Sequence, residues 1–258
     1  MSTSAKSKSI AERGSPAEWA LRVELAAAYR LVALYGWDDL IFTHLSVRVP
    51  GPEHHFLINP YNLLFEEITA SSLLKIGLDG LPVAETAYAT NPAGFTIHSA
   101  IHQSRTDANA VMHLHTEAGQ AVSAMQFGLL PNTQTSMIAG HDLAYHDYEG
   151  IATDLDERDR IVADLGDKNS MLLRNHGTLA VGECVADCFM RIYFLERACA
   201  AQVLMLAAGH DRLLEPRAEI RQKVARQSSG DLAKQVSREI AWPALLRKLD
   251  RLDQSYKQ

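Results

Sequence analysis

A chain of 258 residues, 47% hydrophobic and 22% charged, is long enough to bury a substantial core in one large domain. Lys and Arg number 25 against 31 Asp and Glu, giving a net charge of -6, and no basic run offers the phosphate-tracking surface that nucleic-acid binders need. No apolar stretch approaches the roughly 20 residues of a membrane span, and the opening "MSTSAKSKSIAERGS" has no apolar core of a secretory signal, so the expectation is a cytoplasmic protein with neither nucleic acid nor membrane as partner.

Residues 1–15, Ser- and Lys-rich, read as a flexible tail. "SPAEWALRVELAAAYRLVALYGW" then predicts a helix with Ser15 as N-cap, Pro16 at its first position and a stop at Gly36. From Thr43 the hydrophobic period changes to two. "HLSVRVPG" and "HHFLINP" read as short strands around the Pro50-Gly51 turn, and "SLLKIGLDG" as a third ending at Asp79-Gly80. "NPAGFTIHSAIHQSR" returns to helical spacing, "AVMHLH" is a strand, and residues 117–126 are helical again. "HDLAYHDYEG" reads as a loop or edge strand, and a helix is expected near 154–165. "SMLLRNHGTLAVGE" forms a hairpin-like pair bent at Asn175 to Gly177. Residues 185–208 make a long apolar helix that holds Cys188 and Cys199, with Cys184 just before it. The three cysteines read as buried small apolar residues, not as a metal or disulfide framework. Residues 211–258 read as a helical extension to a domain spanning 16–210. Single helices among hairpins indicate an α/β or α+β fold whose sheet is largely antiparallel.

The chemistry concentrates in "VMHLHTEAG". On a strand, residues two apart share a face, so His113 and His115 project together and can converge on one ion at Zn–N distances of about 2.0–2.1 Å. His176, at the bend of "LLRNHGTLAVG", is a third imidazole whose neighbouring glycine permits tight backbone geometry.

"VMHLHTEAGQAVSAM", "AYHDYEGIA" and "LLRNHGTLAVGE", preceded in order by "FTHLSVRVPG", "FLINPYNLLFEEITASSLLKIGLDG" and "AGFTIHSAIHQSRTDANAV", resemble the class II aldolase and adducin head family over about residues 18–210. The resemblance implies a three-layer α/β/α domain around a mostly antiparallel nine-stranded sheet, commonly assembled as a homotetramer with the metal pocket at a subunit boundary. It also implies that His113, His115 and His176 hold a zinc ion, which would polarise a carbonyl or hydroxyl of a small-molecule substrate, with Fe2+ as the alternative metal.

Two departures bear on the reaction. The resemblance implies an acid/base glutamate just before the helix that leads to the metal strand, where this chain has Gly94 in "NPAGFTIH". The phosphate-binding turns of the aldolase branch also differ from Thr43-His44-Leu45-Ser46 and Asn59-Pro60-Tyr61-Asn62, which leaves Asn59, Ser71 and Ser72 as candidate substrate contacts. A standard sugar-phosphate aldolase is therefore disfavoured, and "AGFT", "TASSL" and "AYHDY" resemble the adducin side. Proton-transfer candidates are His98, which shares a helix face with His102, then Glu117, and Tyr148 in the "AYHDY" cluster. Each has an ordinary structural alternative: packing for His98, a helix-dipole acid for Glu117, loop anchoring for Tyr148. Arg174 pairs with a substrate carboxylate or joins an interface ion pair; both readings stay open. The expected function is a metal-dependent lyase, performing decarboxylation or retro-aldol cleavage on a small hydroxy or oxo carboxylate. The alternatives are a non-haem iron oxygenase acting on an aromatic 2-oxo acid and a non-catalytic adducin-like assembly module.

Overall fold

The computed structural model describes residues 14–258, so the tail expected at 1–15 lies almost wholly outside the described residues. Helix α1 (Pro16–Leu34) starts as the sequence predicts: the Ser15 side chain accepts the Glu18 N–H at 3.1 Å, with Pro16 in the first turn. Its buried Tyr29 reaches the sheet, where the hydroxyl accepts the Leu45 N–H at 2.7 Å and lies 2.8 Å from Asn59 Oδ1. Strands β1 (His44–Arg48), β2 (Phe56–Ile58) and β3 (Leu74–Ile76) follow, then α2 (Pro92–Ser104), β4 (Ala110–Leu114), α3 (Glu117–Ser123) and α4 (Gln134–Gly140). Next come β5 (Leu143–His146), α5 (Glu157–Leu165), β6 (Ser170–Leu173), β7 (Gly177–Gly182) and the long α6 (Val185–Met205). Helices α7 (Ala218–Gln227), α8 (Gly230–Gln235) and α9 (Trp242–Leu252) end the chain, with a π-helical segment, Val236–Ala241, between the last two.

The described strands form one seven-stranded sheet in the order β3-β2-β1-β4-β7-β6-β5, which corrects the nine expected. Part of the difference lies past the Asp79-Gly80 turn, where the returning segment makes only the single bridge Ile76 to Pro82. Proline has no N–H to extend a ladder. All pairings are antiparallel except β5 with β6, which are parallel because α5 crosses over between them. "HDLAYHDYEG" thus supplies an edge strand. Helix α4 has no counterpart in the sequence reading, although Thr133 and Ser136 cap each other reciprocally at its start.

Alternation along the strands sets up two cores. Ala110, Met112 and Leu114 of β4 face a layer built from α1 and α6, while Val111 faces α2 and α5, so helices cover both sides of the sheet. His113 falls on the α2 side. The extension at 211–258 packs onto the main body, with Trp242, Leu249 and Tyr256 in the same core as α1 and α6 and the Trp242 ring 5.5 Å from that of Phe189. Among the described residues no helix is long and apolar enough to cross a membrane. Replacing Trp242 with alanine, which empties a site only 3% exposed, is expected to lower unfolding stability by about 3–5 kcal/mol in a urea titration.

Candidate metal centre

Three strands and one hairpin bend bring the imidazoles together. His113 and His115 leave the same face of β4 and its extension, and β7 runs antiparallel beside them with Leu114 opposite Thr178. The β6–β7 bend carries His176. Asn175, in the left-handed region at φ 56°, turns the chain sharply there. Gly177 lets the two backbones close: a Cβ at this position would stand 2.3 Å from the Leu114 carbonyl oxygen. Ring centroids are then 4.6 Å apart for His113 and His115, 4.7 Å for His113 and His176, and 4.8 Å for His115 and His176. One ligand nitrogen from each ring lies within 4.8 Å of the others.

Hydrogen bonds on the far side of two rings fix their tautomers. The Thr178 carbonyl can only accept, so His113 Nδ1 donates to it at 2.9 Å. The Asp39 carboxylate likewise takes a hydrogen bond from His115 Nδ1 at 3.0 Å. With both rings neutral, both Nε2 atoms are lone pairs, and they face each other at 2.9 Å. Two lone pairs at that distance repel unless a proton or a metal ion lies between or beside them. The donor set therefore fits a divalent ion held by imidazole nitrogens, the more so because the other ring nitrogens are already oriented. Burial and the neighbouring imidazoles hold His113 well below the usual histidine range and His176 down at about 4, so both rings are neutral at physiological pH.

A second chain of imidazoles runs into the site beneath α2. His44 lies directly across from His113 in the β1–β4 register, with ring centroids 5.1 Å apart. Working inward from the far end, His102 Nδ1 donates to the Ala108 carbonyl at 3.1 Å, leaving Nε2 to accept from the Ser46 hydroxyl at 2.7 Å. Ser46 Oγ in turn accepts from His98 Nδ1, and His98 Nε2 accepts from His44 Nδ1 at 2.8 Å. One carbonyl thus sets the direction of the whole chain, and its other end is an unprotonated His44 Nε2 beside the three rings. Burial first, then the neighbouring His115 and His176 rings for His44 and the Arg48 guanidinium for His102, pushes both down to about 3, and burial holds His98 well below its ordinary value. Position 94 belongs to the same geometry, because a Cβ there would stand 2.9 Å from His44 Cδ2. The imidazole occupies the volume that a side chain at 94 would need.

Of the other residues singled out from sequence, Tyr148 is 53% exposed with its ring 6.3 Å from that of His176. His98 is wholly buried and meets the site through His44. Glu117 is exposed in the first turn of α3. Asn59 is buried, hydrogen-bonded to Tyr29 and to the Pro60 carbonyl. Ser72 is tied to Thr69, and the Ser71 N–H donates to the Gln258 carbonyl at 2.8 Å; both serines line a separate cavity of about 180 Å³ shared with Glu18 and Arg22. Arg174 donates to the Met125 carbonyl at 2.8 Å and lies over the Tyr145 ring at 4.3 Å. Sequence reasoning named neither His44 nor Asp39 as a site residue. A histidine in a β1-like pattern was visible, but which β4 residue it faces is a matter of register, and nothing local marks Asp39.

The family model for the class II aldolase and adducin N-terminal domain matches residues 23–203. The chain belongs to that family. A Caulobacter vibrioides protein classed with the class 2 aldolases is 57% identical over 252 residues, 96% of each chain. Alpha-adducin of Mus musculus is 46% identical over 244 residues, which is 90% of this chain and 33% of the adducin. Among solved structures, an aldolase II superfamily protein from Pseudomonas syringae aligns with a TM-score of 0.91 at 49% identity, over 97% of this chain and 100% of that one. The L-fuculose 1-phosphate aldolase from Glaciozyma antarctica aligns with a TM-score of 0.81 at 27% identity, over 100% and 97%. Class II aldolases are typically metal-dependent, in keeping with the donor set of this family member.

Two outcomes are expected. Gly177→Ala, which forces β7 off the Leu114 carbonyl, should reduce zinc binding in a chelator-competition titration by at least about tenfold. His98 and His102 are buried neutral, so their folded pKa values lie below the unfolded value near 6.5. The unfolded chain then binds more protons as pH falls, and stability is full above about 6.5 and declines below it. Urea titrations at pH 7 and pH 5 should differ by up to about 2 kcal/mol from His102, with His98 acting in the same direction.

Proposed function

We propose that this protein is a metal-dependent enzyme that performs lyase chemistry, decarboxylation or retro-aldol cleavage, on a small hydroxy or oxo carboxylate. The observation that carries the reading is the convergence of His113, His115 and His176 with two oriented Nε2 lone pairs facing each other. These residues would hold a zinc ion, with Fe2+ as the alternative, and a bound ion supplies Lewis-acid polarisation of a carbonyl or hydroxyl oxygen. Only His113 of the three is fully buried, which leaves one side of the set open to substrate.

Gly94 cannot move a proton, and His44 takes over that place. Its Nε2 lone pair would accept the proton from a substrate hydroxyl. His98, Ser46 and His102 behind it can respond by shifting their own protons along the chain, each group being both donor and acceptor. Tyr148 at the rim is the candidate acid from the other side, while Glu117, Arg174, Asn59, Ser71 and Ser72 stand as weaker candidates for proton transfer or substrate contact. Family membership favours a homo-oligomer, and we favour a tetramer acting in the cytoplasm.

A second reading is supported by the likeness to alpha-adducin over 90% of the chain: a binding or assembly module that needs no reaction. Protein purified without added metal should carry about one zinc per chain by elemental analysis. It should turn over members of a hydroxy- and oxo-carboxylate panel, and His176→Ala should lose both the ion and turnover by at least about a hundredfold while staying folded. Iron with substrate-dependent oxygen uptake would replace the lyase by an oxygenase acting on an aromatic 2-oxo acid. A His176→Ala protein with unimpaired biological activity would favour the assembly module.

A further inference from the structure

Outside the imidazole set, one buried acid has no role in the chemistry described above and no cation beside it among the described residues. Glu196 of α6 is 2% exposed and forms no ion pair among the described residues. Its two oxygens accept from two hydroxyls, Thr116 Oγ1 and Thr178 Oγ1. Thr116 directly follows His115, and Thr178 lies two residues after His176. The Thr178 carbonyl is also the acceptor that fixes His113 Nδ1, so this one residue is held by Glu196 through its side chain and holds His113 through its backbone. Glu196 reaches these threonines from the α6 side of the sheet, opposite the face that carries His113.

We propose that Glu196 is a positioning residue for the metal centre: a carboxyl that clamps the His115 and His176 segments together through Thr116 and Thr178 and thereby sets the spacing of the ligand rings. This rests on the reading of His113, His115 and His176 as metal ligands.

Capping of α3 does not account for it. Thr116 Oγ1 already accepts the Gly119 N–H at 2.9 Å, which satisfies the helix start without any acid. Burying a carboxyl without a cation is costly unless its hydrogen bonds are made, so its presence calls for a reason beyond packing. Burial raises the Glu196 carboxyl to about 7 against the two threonine hydrogen bonds. Gly119 leaves the room required, since a Cβ there would stand 2.9 Å from both Thr116 Oγ1 and Thr178 Cγ2 and 3.4 Å from Glu196 Oε1.

The test uses the full chain as wild type, Glu196→Gln, Glu196→Ala and Thr178→Val, each stripped of metal. Zinc is titrated against a chromophoric chelator, and cobalt is added separately for its visible absorption spectrum. Glu196→Ala and Thr178→Val should bind zinc about 10–100-fold more weakly than wild type and show displaced cobalt bands. Glu196→Gln, whose amide oxygen still accepts one hydroxyl, should recover part of the affinity. Thr178→Val conserves shape, so it decides the matter if Glu196→Ala fails to fold. Wild-type zinc affinity and an unchanged cobalt spectrum in a folded variant overturn the clamp alone, and a wild type that takes up neither ion overturns the metal reading together with it.

Discussion

The register of β4 against its two neighbours is the constraint on which the site depends. With β1, it sets His44 opposite His113; with β7, it sets Leu114 opposite Thr178 and brings the His176 bend alongside His115. A slip of one residue would carry every β4 side chain to the other face, burying His113 among α1 and α6 and moving Met112 to the α2 side. That slip is opposed on both faces, because Ala110, Met112 and Leu114 complete one hydrophobic core and Val111 the other. The apolar residues thus determine where the polar ones point.

Polar groups on this scaffold are arranged so that each has one donor and one acceptor assignment. The Ala108 carbonyl orients four side chains in series, and the Thr178 carbonyl and Asp39 orient two more. Turning one of these rings would strand a buried partner, which holds each of them in place. The result is a cluster of neutral imidazoles with their basic nitrogens directed at a common region and little freedom to direct them elsewhere.

Much of this was legible in the amino-acid order. Period-two and period-3.6 patterns located β1 to β4 and β6, β7, along with α1, α2 and α6, and "HLH" with "NHG" identified the three rings because both are local features. The count of nine strands came with the family resemblance and not from the patterns, which mark six strands and a seventh loop-or-edge segment; the stretch after β3 adds no strand because it makes a single bridge at Pro82. The parallel partnership of β5 was hidden for a different reason: direction is decided by whether an α-helix intervenes, and α5 lies outside the edge strand itself. His44 and Asp39 depend on contacts between segments far apart in the chain, and no window of sequence contains both partners.

The shared volume of His44 and residue 94 has an evolutionary consequence. A carboxylate introduced at 94 while His44 remains would be overcrowded, and trimming His44 while Gly94 remains would leave a hollow beside the ligand rings. Either order of single changes passes through a poorer protein. Exchanging an imidazole at 44 for a carboxylate at 94 therefore requires both changes together, because the two positions draw on one volume.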